Sequence, residues 1–231
     1  MKIGIIGSGN IGGALTRRFR AAGHEVAVAN SRGPASLADL ARETGAHPTS
    51  VEDAARGNAV VVVAVPLKTV EDLPLGLFAD APADLIVIDT SNYYPQQRDG
   101  RLGGIEAGET ESRWVEQRLG HPVVKVFNSI IAQHLLEGGK PAGAPGRIAL
   151  AVAGDDPKAK ATVMRLVDEI GFDAVDAGTI EDSWRQQPGS PGYLKDYDVQ
   201  GVRQALAEAR RDRAPEWRAT PNSPGSFVSP A

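Results

Sequence analysis

Near its amino terminus the chain reads Gly7-Ser8-Gly9-Asn10-Ile11-Gly12. This spacing, G-x-G-x-x-G, constrains the fold more than any other feature. In isolation the pattern is weak, but its flanks give it force. Residues 3–6 form an apolar run suited to a short buried strand, and they lead straight into the glycines. A helix is expected from about residue 10 to 22, because Leu15, Phe19 and Ala22 recur at helical spacing. Gly23 can end it in a left-handed conformation, and a second strand is expected over 25–29. In such a strand–turn–helix, Gly7 permits the tight turn, Gly9 leaves room for a pyrophosphate and Gly12 lets helix and strand approach. Gly7, Ser8, Gly9, Asn10, Ile11 and Gly12 are therefore expected to cradle the phosphates of a dinucleotide on free amides at the positive end of the helix.

The end of the second strand discriminates between dinucleotides. An acidic side chain there, ~20 residues after the glycines, grips the ribose hydroxyl of NAD. Here Asn30, Ser31 and Arg32 stand instead. No carboxylate repels a 2′-phosphate at this point. Arg32 offers a fork of donors, and Ser31 or Asn30 can add a hydrogen bond. The expected cofactor is NADP(H).

The rest of the chain alternates strands and helices. Pro34 can open a helix that runs to Thr44. A short strand is expected near His47 and a helix over 51–56. Residues 59–65 are seven apolar residues in succession, which fits a central parallel strand ended by Pro66. Further strands are expected over 85–88 and 123–127, with a helix centred on Trp114 between them. This is the signature of an α/β protein, a Rossmann doubly wound parallel sheet over residues 1–142. Residues 138–146, with four glycines and two prolines, read as a turn or linker. A strand over 147–152, a helix over 157–170, a strand over 174–176, a polar loop over 181–197 and a helix over 198–211 follow. They predict a small C-terminal α/β domain or sheet extension over 143–214, serving substrate binding or dimerisation. Residues 215–231, rich in proline, serine and glycine, read as a loose tail.

Composition narrows the chemistry. The chain has no cysteine, so thiolate nucleophiles and disulfides are excluded. His24, His47, His121 and His134 lack metal-ligand spacing, and no metal is expected. A net charge of −4 and a pI near 5.6 argue against a nucleic-acid partner. No apolar run approaches the ~20 residues of a bilayer span. A cytoplasmic protein with no membrane partner is the default expectation.

Candidates for the reacting end lie where strands finish. Val65 and Pro66 leave the long central strand and can line the ribose or nicotinamide. Asn128 can hold the nicotinamide carboxamide or a substrate carbonyl. Ser129, His134 and Tyr93 are further catalytic candidates; Tyr93 and Tyr94 can contact a ring or give a proton, His134 can give a proton, and Trp184 can stack on a flat substrate. Hydride transfer between two rings needs close placement and exclusion of water. Reduction of a carbonyl or imine also needs a proton donor. The residues leave both open, as well as a non-catalytic NADPH sensor.

Taken together, the glycine turn, Ser31-Arg32, Val65-Pro66, Phe127-Asn128-Ser129 and Asp176-Ala177-Gly178 resemble the coenzyme F420-dependent NADP oxidoreductase family over about residues 1–212. The segments 89–95 and 181–189 look like a bacterial branch of it. The resemblance implies hydride exchange between NADP(H) and a deazaflavin, with coenzyme F420 or a flavin as acceptor. It also implies 2′-phosphate contacts from Ser31 and Arg32, an approach of 127–129 to the nicotinamide, and a homodimer. The amino-terminal signature is also similar to pyrroline-carboxylate reductases and to the reductase domains of membrane metalloreductases.

Overall fold

The computed structural model describes residues 1–223. Strands β1 (Lys2–Ile6), β2 (Glu25–Ala29), β3 (His47–Pro48), β4 (Val60–Val63), β5 (Ile86–Asp89) and β6 (Val123–Lys125) form one parallel sheet. Their order is β3-β2-β1-β4-β5-β6. β1 pairs with β2 on one side and β4 on the other, so the winding reverses there and a crevice opens beyond the strand ends. Helices α1 (Asn10–Ala21), α2 (Ala38–Thr44), α3 (Val51–Ala55), α4 (Gly103–Glu106), α5 (Glu111–Leu119) and α6 (Ala132–Glu137) accompany these strands. With both faces covered, every residue of β4 is buried. Its alternate side chains divide between two cores. Val60 and Val62 join Leu15 and Phe19 of α1, whereas Val61 and Val63 join Trp114 and Val115 of α5.

Three boundaries differ from expectation for identifiable reasons. The strand expected over 59–65 ends at Val63; beyond it the Ala64 amide reaches the Ile6 carbonyl, and Pro66 has no amide to pair. The strand expected over 123–127 ends at Lys125, because Phe127 adopts a φ of 65°. Pro34 opens a 3₁₀ turn (Pro34–Leu37) that leads into α2.

The C-terminal part contains β7 (Ala149–Val152), α7 (Pro157–Glu169), β8 (Asp173–Asp176) and α8 (Val199–Glu208). β7 and β8 pair in parallel. An antiparallel bridge from Lys125 to Ala153, with N–H···O distances of 2.8 and 3.1 Å, ties this pair to β6. Leu150, Val152, Val163 and Leu166 pack in the same core as Ile3, Leu15 and Phe19. The other face of β7, through Ala149 and Ala151, meets Val202 and Leu206 of α8. The unit thus continues the first core. Among the described residues, no helix is long and apolar enough to cross a membrane.

Part of the segment expected as a loose tail makes contacts with the body of the protein. Pro215–Trp217 forms a 3₁₀ turn, and Trp217 lies 6.2 Å from the Tyr94 ring and 6.3 Å from the Tyr193 ring. Gln96 donates to the Arg218 carbonyl at 2.6 Å, and the Ala219 amide donates to Glu106 at 2.9 Å. A single large aromatic anchor outweighs the proline- and serine-rich composition around it. The remainder of that expectation, residues 224–231, lies outside the described residues.

Candidate dinucleotide and acceptor site

The three glycines do different work. Gly7 has a φ of 108°, and a Cβ on it would lie 2.2 Å from the Ala64 carbonyl oxygen. A Cβ on Gly12 would lie 1.9 Å from the Gly7 carbonyl oxygen, so this glycine sets the approach of α1 to the turn. A Cβ on Gly9 would meet nothing within 4 Å; its surroundings are open. Gly9 is also the N-cap of α1, with no side chain capping the helix and no acid in its first turn. The first-turn amides therefore remain available to a ligand. Asn10 opens the helix, exposed, while Ile11 packs against the core. This donor set fits a pyrophosphate.

A crevice of about 780 Å³ runs from Gly7, Ser8 and Gly9 past Ser31 and Arg32 to Val65 and Pro66. Asn30 braces its rim: it donates to Ser8 Oγ at 2.9 Å and to Ser36 Oγ at 3.0 Å, and accepts from the Arg32 amide at 3.0 Å. The amide side chain thereby couples the glycine turn to the Ser31-Arg32 loop. Arg32 is exposed, and among the described residues no carboxylate pairs with it. The acidic residues lining the crevice, Glu52 and Asp72, come from α3 and the turn after β4, not from the end of β2. A 2′-phosphate fits this chemistry.

The candidates for the reacting end are held more tightly. Asn128 is 3% exposed and locked in an amide clasp. Its Nδ2 donates to Asn92 Oδ1 at 3.1 Å and to the Gln186 carbonyl at 2.7 Å, while its Oδ1 accepts from Gln186 Nε2 at 3.0 Å. Both of its side-chain donors are engaged. Tyr93 is fully buried; its hydroxyl donates to the Gly100 carbonyl at 2.7 Å and accepts from the Leu102 amide at 3.1 Å. Burial raises its pKa. His134 lies on α6, with Nδ1 2.6 Å from Asp196 Oδ2. Ser129 is half-buried, and its carbonyl accepts from the Leu194 amide at 3.0 Å. Thus the structure brings Asn128 and Ser129 to the end of β6, encloses Tyr93 below, and pairs His134 at the surface.

A buried charge cluster supports this edge. Lys125 and Asp89 are both fully buried and pair at 2.9 Å. Asp89 also accepts from Ser91 Oγ at 2.6 Å and Ser112 Oγ at 2.7 Å, and Lys125 donates to the Ser91 carbonyl. Its acceptors are satisfied, as an ion pair at such depth requires. Glu111 is also fully buried; it accepts from the Tyr93 amide at 3.1 Å and pairs with Arg213. Desolvation outweighs that cation and pushes the Glu111 carboxyl up to about 7. Glu111 and Arg213 escape a reading of the sequence, and so does the pairing of Asn92 and Gln186 with Asn128. Their contacts span from 18 to 102 positions, and no local pattern announces them.

Comparison with known proteins places this geometry. Residues 2–93 match the family model described as NADP oxidoreductase coenzyme F420-dependent. The fold is similar to that of SMa0349, a hypothetical protein of Sinorhizobium meliloti. The two are 32% identical, with a TM-score of 0.71, over 85% of this chain and 95% of that one. It is also similar to a protein of Arthrobacter sp. FB24 provisionally named an F420-dependent NADP-reductase. There the identity is 26% and the TM-score 0.65, over 78% of this chain and 86% of that one. The protein YjhV of Escherichia coli (strain K12) is 45% identical over 71 residues, 31% of this chain and 52% of YjhV. The chain thus spans about half the length of that curated relative. With a Rossmann strand order, an open glycine turn and these matches, the chain resembles the NADP oxidoreductase, coenzyme F420-dependent family, whose model covers its residues 2–93.

Proposed function

We propose that the chain is an NADPH-dependent oxidoreductase that moves hydride between the nicotinamide and a deazaflavin- or flavin-like ring. One observation supports the choice of acceptor: Tyr93, Tyr94 and His134, the proton donors suggested by the sequence, each face a protein partner, with the Tyr94 hydroxyl against that of Tyr193. The Tyr93 hydroxyl is enclosed and bonded, Asn128 is clasped, and His134 is paired with Asp196. Reduction of a carbonyl or imine needs a free donor beside the reacting atom, whereas ring-to-ring transfer chiefly needs placement and dryness. The dinucleotide, when bound, supplies or accepts the hydride. The chain's own share is positional. The amides after Gly9 hold the pyrophosphate, Ser31 and Arg32 hold the 2′-phosphate, and Val65 and Pro66 wall the nicotinamide end.

The test is NADPH oxidation against a deazaflavin, FMN, a quinone and a cyclic imine. Turnover with the ring acceptors, unchanged by Tyr93→Phe or His134→Gln in variants that stay folded, is the expected result. Turnover confined to the imine, with a solvent isotope effect abolished by one of those substitutions, would replace this reading with proton-assisted reduction.

A further inference from the structure

A small, partly open chamber of about 90 Å³ lies beneath the C-terminal segment, lined by none of the residues that line the dinucleotide crevice. One water needs only ~10–15 Å³ of such space. Thr110, Gln187, Ser190 and Arg213 line it, with Trp184 and Trp217 as aromatic walls. Four atoms of these side chains are buried without a hydrogen-bond partner: Thr110 Oγ1, Gln187 Nε2, Ser190 Oγ and Arg213 Nη1. Thr110 is 2% exposed and Gln187 7%. Thr110 is the N-cap of α5, yet its hydroxyl does not cap that helix. Orphaned polar groups at this depth are costly, and a cluster of them around one space calls for an occupant.

Their chemistry describes the occupant. Gln187 Nε2 and Arg213 Nη1 can only donate, and the two hydroxyls can turn to donate. The missing partner therefore presents several acceptor oxygens close together. Arg210, Arg211 and Arg213 stand over the chamber against Glu109 and Asp212. Arg210 pairs with Asp212 at 3.2 Å, and Arg213 directs its other nitrogen to Glu111. We propose that this chamber is a binding site for a small carboxylate or oxoanion, held by Thr110, Gln187, Ser190 and Arg213. The aromatic walls favour the carboxylate of a small organic acid, its apolar part against Trp184 and Trp217; a free inorganic oxoanion is the other source of the same chemistry. The site is independent of which acceptor takes hydride.

The test is thermal unfolding and calorimetric titration of the full chain with sodium acetate and with inorganic phosphate, at ionic strength matched by chloride. A saturable stabilisation by acetate supports the carboxylate, and one by phosphate alone supports the inorganic source. Gln187→Leu or Thr110→Val should weaken the responding anion by roughly tenfold, the factor for one lost hydrogen bond to a charged group, with NADPH affinity unchanged. No anion-specific effect on the unsubstituted protein, as for a chamber that holds water alone, overturns the proposal. An undiminished effect in folded Gln187→Leu overturns it equally.

Discussion

Gly9 and Gly12 sit three residues apart and should fail in opposite ways when given a methyl group. At Gly12 the new Cβ meets a backbone carbonyl that cannot move aside. Gly12→Ala should lower the melting temperature, with loss of NADPH binding as a consequence. At Gly9 the methyl enters open space at a φ of −70°. Gly9→Ala should keep the melting temperature within about a degree, because open sites cost little, and should weaken NADPH in a fluorescence titration. Equal loss of stability in both would contradict the assigned roles. Among the described residues no carboxylate pairs with Arg32, so Arg32→Ala should raise the Kd for NADPH roughly tenfold or more and leave NADH nearly unchanged. Parallel losses for the two cofactors would sink the 2′-phosphate assignment. These residues were legible because each acts through local backbone geometry or charge. Asn128 could be named from the sequence but its clasp could not, because the group that occupies its amide lies 58 positions away.

At the level of elements, the end of β6 is fixed by the clasp among Asn92, Asn128 and Gln186 and by the positive φ of Phe127. Backbone strain of this kind persists only where surrounding contacts over-determine it. Asn128→Ala removes both donors and leaves the Gln186 carbonyl without its partner, which should cost about 1–3 kcal/mol. For a chain of this size, each kilocalorie lowers the melting temperature by ~2–4 °C. NADPH affinity should change little. The reverse pattern, with stability kept and affinity lost, would restore Asn128 as a direct nicotinamide contact. Strands and long helices could be read from the sequence, since apolar runs and helical spacing are local. The shortening of β4 and β6 could not, because it depends on where a neighbouring carbonyl lies and on one unusual dihedral.

For the whole molecule, pH reports on the buried charges that join its parts. Glu111 titrates near 7 in the folded chain and near its ordinary 4.5 when unfolded. Between those values the folded form keeps a proton that the unfolded form releases. Stability from this group is therefore fully present below about 4.5 and declines as pH rises through about 7, by a total on the order of 3 kcal/mol. Denaturation at pH 5 and pH 8 should show the unsubstituted protein losing more stability across this interval than Glu111→Gln. Parallel profiles would remove the basis for the raised value. The sheet order was legible at this scale because alternating elements have few topologies open to them, while Trp217 was hidden by its surroundings. The bridge from Lys125 to Ala153 has a practical consequence for anyone trading segments between relatives. A cut near residue 142 separates Leu150 and Val163 from Leu15 and Phe19, which pack together. Chimaeras joined there inherit a seam through their interior, and swapping the distal half will succeed only when α1 travels with it.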